Sequence, residues 1–439
     1  MLSGWKSQLA IPVALASGCS VERTVPLSDF SCSVVSCAGD VGPRDGTTTG
    51  AHDSGRLDFG VGPPDFGVGP PDLGPPFPDG GSTGSPLSAL FPYTPSSVAS
   101  FTVAASPPAA VLDCGLAVID RVVIWCGTAP PVREFRLPAV PGAPVGQDAA
   151  VVVLSGLRID AGTALRVSGA QRPVVVVVLG DVEIGGVIDV SSERGGVIGA
   201  GAAAPFVCLS SLGLGGAAGA GGGGGGHGSA GGAGGAGSSR PGATGGVAGA
   251  DDSLDPIRAG CAGGGGAQTP IGGGPGGGAF QLSASGRITI ADGARLLANG
   301  GGGAGGTSEP GAGLVLGGGG GGSGGSILLE ANELVIGAAT FSANGGGGGG
   351  GATQTLDGNP GAGGRSDGQP ALGGTQHGGS GATRDSPAEN GIAEAGGEVG
   401  GGGGGGVGRI RLNAMSCVRS SSASFSPDPS FGRSTCAGL

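Results

Sequence analysis

The chain has 439 residues, among them 109 Gly and 32 Pro, with 3% aromatic and 12% charged residues. Such a composition belongs to low-complexity chains and lacks the large side chains that close-pack a wide enzyme core. Its glycines run contiguously, so it is not collagen, which needs Gly at every third position. The net charge is −11, Lys6 is the only lysine and the arginines are scattered. Nucleic-acid binding by phosphate neutralisation, a P-loop nucleotide site and Schiff-base chemistry therefore all lack their residues.

Residues 1–18 read as an export signal. Lys6 supplies a positive start, and Leu9 to Ala16 is apolar but too short to span a bilayer. Leu15-Ala16-Ser17-Gly18-Cys19 follows and resembles the lipobox of bacterial lipoproteins, although Ala16 is smaller than the aliphatic residue usual there and Pro12 interrupts the apolar run. The resemblance implies a lipid on Cys19. Ser20, which is not Asp, implies sorting to the outer membrane and cell surface. Ala14-Leu15-Ala16 also fits the small-x-small rule for plain secretion.

Residues 19–95 are expected to form a tether. Asp58-Phe59-Gly60-Val61-Gly62-Pro63-Pro64 repeats as Asp65-Phe66-Gly67-Val68-Gly69-Pro70-Pro71, and a third copy begins at Asp72-Leu73-Gly74. Proline holds such a segment extended and semi-rigid, which suits a spacer. A Pro-rich ligand for a partner domain is the competing reading. A lipidated Cys followed by an acidic Pro/Gly repeat resembles surface lipoproteins of myxobacteria-like bacteria.

From 96 the pattern turns to β. Residues 96–156 are expected to be a β-rich cap, with apolar runs at Val118 to Trp125 and Val151 to Leu154. The run Val174 to Leu179 lies further on, and short runs of this kind suit strands buried on both sides.

Residues 157–414 carry an internal repeat. Its copies begin at Leu157-Arg158-Ile159, Gly180-Asp181-Val182-Glu183-Ile184, Gly286-Arg287-Ile288-Thr289-Ile290 and Asn332-Glu333-Leu334-Val335-Ile336. Each continues into a second short strand. The Gly-rich arms end in re-entry strands at Phe280 to Ala284, Ile327 to Ala331 and Ile410 to Ala414. A period of two puts Ile288 and Ile290 on one face and Arg287 and Thr289 on the other. One such rung cannot bury its apolar face alone, but stacked rungs can. The fold class expected is therefore mostly β: a parallel β-solenoid with long glycine-rich excursions, closed by a cap or tail at 415–439. Asn299 and Asn344 occupy equivalent corners, where stacked side chains can bond each other or each can serve a plain turn.

The arms, about 195–278, 300–325 and 345–408, admit two readings. They are disordered spacers, or they are extended threads of polyglycine II type bonded neighbour to neighbour, since buried backbone groups need partners. In composition they resemble Gly-rich mycobacterial surface proteins and polyglycine-helix antifreeze proteins.

Nine cysteines leave eight once Cys19 is set aside, an even number suited to an oxidising compartment. The simplest pairing is by nearest neighbours: Cys32 with Cys37, Cys114 with Cys126, Cys208 with Cys261 and Cys417 with Cys436. No CxxC supports zinc. Gly321-Gly322-Ser323-Gly324-Gly325 matches a nucleophile elbow in letters, yet glycines precede it and a strand follows it. His227 and His377 each lie inside an arm, and no metal or cofactor is expected. The one tight acidic cluster is Asp251, Asp252 and Asp255, with Arg258 close behind.

These features predict a non-catalytic, structural or adhesive lipoprotein of a bacterial surface. Its expected partners are the membrane, through the lipid, and surface polysaccharide or other envelope components. A β-helix enzyme acting on polysaccharide, using the carboxylates of that acidic cluster, is the alternative. A non-catalytic ice or polysaccharide binder is a further one.

Overall fold

The computed structural model describes most of residues 85–439, within one structural unit, Pro76–Leu439. Residues 1–84 lie outside the description. So do 104–106, 113–115, 120–122, 125–131, 138–147, 170, 203–207, 209–211, 217–218, 239, 250–251, 267–271, 310–313, 394–398, 434 and 439. The signal, Cys19, Cys32, Cys37, Cys114, Cys126 and Asp251 therefore fall outside it.

The described chain is mostly β. Its one helix is the single turn Leu87–Leu90. An 11-stranded and a 7-stranded sheet carry the architecture, and both are parallel over most of their width. The repeat copies lie side by side in register. Leu157, Val182, Ile288, Leu334 and Cys417 are successive partners in the first sheet. Leu165, Ile188, Leu296, Phe341 and Phe425 are successive partners in the second. The two rows belong to one core between the sheets.

Alternation explains the facing. Ile288 and Ile290 are buried, while exposed Arg287 on the opposite face pairs with Glu333 at 2.8 Å. Each buried Ile, Leu or Val contributes about 1.5–3 kcal/mol, so repetition replaces the bulk that aromatic residues would supply. Phe341 and Phe425, stacked 4.6 Å apart, close the row at its end.

The uninterrupted apolar runs are buried on both sides. In Val174–Val178 the residues Val174, Val176 and Val178 join the inter-sheet core. Val175 and Val177 join a second core with Leu87, Phe91, Tyr93, Val98, Phe101 and Val103. That second core corrects the tether boundary: residues 85–95 are not spacer, because Leu87, Phe91 and Tyr93 pack as a strap over the first sheet.

Two further differences from the sequence reading have local causes. Each re-entry strand runs on into the following repeat strand as one element, for example Ala279–Ile290, with a register shift between Ala284 and Arg287. The small residues Ser285 and Gly286 let the chain bulge there without ending the ladder. At the N-terminal edge the pairing turns antiparallel: Leu116–Ile119 pairs Val123–Ile124, and Val132–Arg136 pairs Asp148–Leu154. Short connections permit hairpins at that edge, whereas parallel neighbours need a long crossover.

The glycine arms are those crossovers. They leave the second sheet after Asp189, Leu297 and Ser342 and return into the first at Ala279, Ser326 and Arg409.

Candidate functional site

The described parts of the arms are threads joined by backbone hydrogen bonds with a period of three. Gly318, Gly321 and Gly324 donate to Gly400, Gly403 and Gly406. Gly319, Gly322 and Gly325 donate to Ala304, Gly301 and Ala298, and Gly320 and Ser323 donate to Gly264 and Cys261. The same thread accepts from Gly222 and Gly225, from Gly349 and Gly346, and from Gly274 and Gly277. Three neighbours accept from its N–H groups and three others donate to its carbonyls. The threads through 221–226, 345–351 and 400–406 are surrounded in the same way.

These four threads are the longest pure glycine runs of the chain. A Cβ on Gly320 would stand 2.0 Å from the Gly223 carbonyl oxygen, and one on Gly403 would stand 2.1 Å from that of Gly232. Boundary threads admit side chains where a residue faces outward. The thread 230–236 reads Ala-Gly-Gly-Ala-Gly-Gly-Ala, with Ala230 and Ala236 exposed. Cys208 and Cys261 form a disulfide that ties the first arm to its own thread, and Cys417 and Cys436 form a second. The other two expected pairs fall outside the described residues.

His227 ends the thread 221–226. Its ring is buried, with Nε2 2.8 Å from Ser326 Oγ. Burial above all, and then the charges of Arg409 and Arg258, pull its pKa down to about 3 from 6.5. The folded protein therefore holds the ring neutral, while the unfolded chain takes up a proton below about 6.5. The stability this adds is present above pH 6.5 and is lost as pH falls towards 3, at about 1.4 kcal/mol per pH unit. Denaturant midpoints measured between pH 6.5 and 5 should fall steeply for the wild type. His227→Gln, which keeps a polar partner for Ser326, should flatten that slope.

Ser323 is not an accessible nucleophile. It is fully buried and its Oγ accepts from the Cys261 N–H at 2.8 Å. His377 is exposed, away from the buried ring of His227. Among the described residues no group of three or more His, Cys, Asp or Glu is placed to hold a metal ion.

Asn299 and Asn344 are both buried. Asn299 Oδ1 accepts from the Asn344 N–H at 2.8 Å and from Ser342 Oγ at 2.7 Å. Asn344 Nδ2 donates to the Arg365 carbonyl at 2.6 Å, and its Oδ1 accepts from Ser426 Oγ at 2.6 Å. Each Asn thus reaches the next copy of the repeat. Asn344→Ala should cost about 2 kcal/mol, since both partners lie at a buried corner, and a urea midpoint checks it.

Beside this corner lie two clefts of about 420 and 360 Å³ that share Arg365. Arg166, Asp189, Glu193 and Asp367 line the larger. Its charges are paired internally: Arg166 with Asp189, and Arg365 with Asp367, whose carboxyl that hydrogen bond draws down to about 2.

Of the acidic cluster, Asp252 and Asp255 are among the described residues. Asp255 accepts from the Ser97 N–H at 2.8 Å, and Asp252 pairs with Arg409. The carboxylate at the centre of the polar network is instead Glu330, which is fully buried. Its oxygens accept from Ser96 N–H and Oγ at 2.9 and 2.8 Å, Ser283 Oγ at 2.8 Å, and Gln281 Nε2 and Asn413 Nδ2 at 3.1 Å. Tyr93 lies close by and donates to the Ala284 carbonyl at 2.8 Å. Burial, reinforced by the Glu330 charge, pushes its phenol far above the usual range. Sequence reading passed over Glu330. The available signal was that Ser283, Glu330 and Asn413 hold the same position in three re-entry strands, where an apolar residue would otherwise serve.

No family model matches the chain, and no curated protein or solved structure matches it.

Proposed function

We propose that the chain is a non-catalytic surface lipoprotein whose body is a parallel β-solenoid stiffened by a bundle of polyglycine II threads, and that its role is structural or adhesive. The observation that carries this reading is the pair of three-way bonding patterns around Gly317 to Gly325: three neighbours accept and three donate. A helix with three residues per turn turns successive N–H groups through a third of a circle, which is what a period of three requires. Ordering glycine costs more conformational entropy than ordering any other residue, and a bundle with mutually bonded threads offsets that cost by leaving few buried groups unpartnered. Such a body is suited to holding a fixed shape at a distance from a membrane. Asp252 and Asp255, the described carboxylates of the alternative enzymatic site, are engaged in structural contacts, which supports the non-catalytic reading. The cleft at Arg365 favours polysaccharide binding as a second reading, with hydroxyl-rich chains meeting its paired charges.

The test has two parts. Trypsin mapping of the oxidised protein should show Arg258, Arg365 and Arg384 in the arms protected as well as Arg287 and Arg409 in the sheets. Fast cutting in the arms alone would sink the thread bundle. Radiolabelled palmitate should enter the wild-type chain in cells and not Cys19→Ala. Shortening of envelope polysaccharide on incubation would instead establish the enzymatic alternative.

A further inference from the structure

The bundle has boundary threads, and one of them has unbonded backbone groups on one side among the described residues. In thread 242–247, Ala243 and Gly246 donate to Gly221 and Gly224. Its carbonyls at Ala243, Thr244 and Gly246 accept from Gly234, Leu214 and Gly231. The N–H groups of Thr244, Gly245 and Val247 and the carbonyl of Gly245 meet no backbone partner among the described residues. Val247 is 51% exposed, and Leu214 on the neighbouring thread is 58% exposed. No charged side chain occurs in 213–216 or 242–249. Other boundaries are charged: Arg365 and Asp367 follow the thread 358–364, and Arg384, Asp385 and Glu389 flank the thread 378–383. Proteins commonly guard open backbone edges with charge, and within this thread no charged side chain does so, the nearest along the described chain being Arg240 before it and Asp252 after it.

We propose that this edge docks against the same edge of a second copy of the chain, thread 242–247 lying beside its counterpart. The occupant follows from the lattice. Only another thread offers donors and acceptors at the spacing the bundle already uses, and an edge with both kinds open is self-complementary, as a two-fold contact requires. The contact is small. Six residues at about 3.1 Å each extend about 19 Å, and a strip of that length would have to be about 40 Å wide to reach the roughly 800 Å² per partner of a standard interface. Association is therefore weak in dilute solution and is strengthened wherever copies are held on one surface. The inference rests on the thread geometry and is independent of the lipid anchor.

Sedimentation equilibrium of the purified full chain, from about 1 μM to about 1 mM, tests it. A reversible monomer–dimer equilibrium is expected. Thr244→Glu combined with Val247→Glu should weaken it tenfold or more, and Leu356→Glu, at another exposed apolar position, should leave it unchanged. A monomer across the whole range, or equal weakening by both variants, overturns the proposal. Amide exchange needs no variant: exchange at Thr244, Gly245 and Val247 should slow with rising wild-type concentration, and concentration-independent exchange would equally overturn it.

Discussion

Gly320→Ala should unfold the glycine bundle while Gly363→Ala leaves it intact. The two substitutions add the same methyl group. At Gly320 it would stand 2.0 Å from the Gly223 carbonyl oxygen and 2.4 Å from its carbon, so backbone must move. That thread donates to three neighbours and accepts from three others, and a shift breaks bonds on several sides. Overpacking costs about 1–3 kcal/mol and each buried group left unpaired about 1–3 kcal/mol more. A total loss of about 3 kcal/mol or more is expected. At Gly363 the nearest atom is the Gly300 carbonyl oxygen at 3.8 Å, and the residue is exposed. Alanine there should be neutral, or stabilise by about 0.4–1 kcal/mol through the unfolded state. Thermal melts of the two variants and the wild type decide it. Equal melting temperatures would mean that the threads do not pack as described.

Glu330→Ala should release the strap. The substitution removes the shared acceptor of Ser96, Gln281, Ser283 and Asn413 and leaves their donors buried without it. Breaking one side of a buried charged network costs about 3–5 kcal/mol, a large share of an ordinary folding free energy of about 5–15 kcal/mol. The loss should be local first. Ser96 is the network's attachment to residues 87–103, so amide exchange should accelerate there before it does in Ile288 to Leu297. Glu330→Gln keeps the shape but turns an amide N–H₂ towards donors, and should show a smaller loss of the same kind. Unchanged exchange in residues 87–103 for both variants would show that the strap is held without Glu330, by its apolar side chains and the hydrogen bonds of Tyr93 and Ser97.

Much of the fold was legible because it repeats. Ile288 and Ile290 alternate with Arg287 and Thr289, and the same alternation recurs at Val182 and Ile184 and at Leu334 and Ile336, so the copies and their facing could be read from period two. The expected pairs Cys208–Cys261 and Cys417–Cys436 form. The joining of re-entry and repeat strands was not legible, since Ala284-Ser285-Gly286 reads equally well as a turn and as a bulge. Glu330 was hidden for a different reason. A lone Glu in a strand reads as solvent-facing until a distant segment, here Ser96, is found covering it.

The amino-acid sequence by itself determined that the protein is β-rich and repetitive, that its core is narrow and aliphatic, and that its longest glycine runs carry no side chain. These are local properties: side-chain period, side-chain volume and the absence of Cβ. Only the tertiary structure decided which thread bonds which, which strand face the strap covers, and which thread lies at the boundary among the described residues. Glycine threads carry no side chains to distinguish one neighbour from another. Their pairing is fixed from outside, by the registers of the two sheets into which their ends are tied.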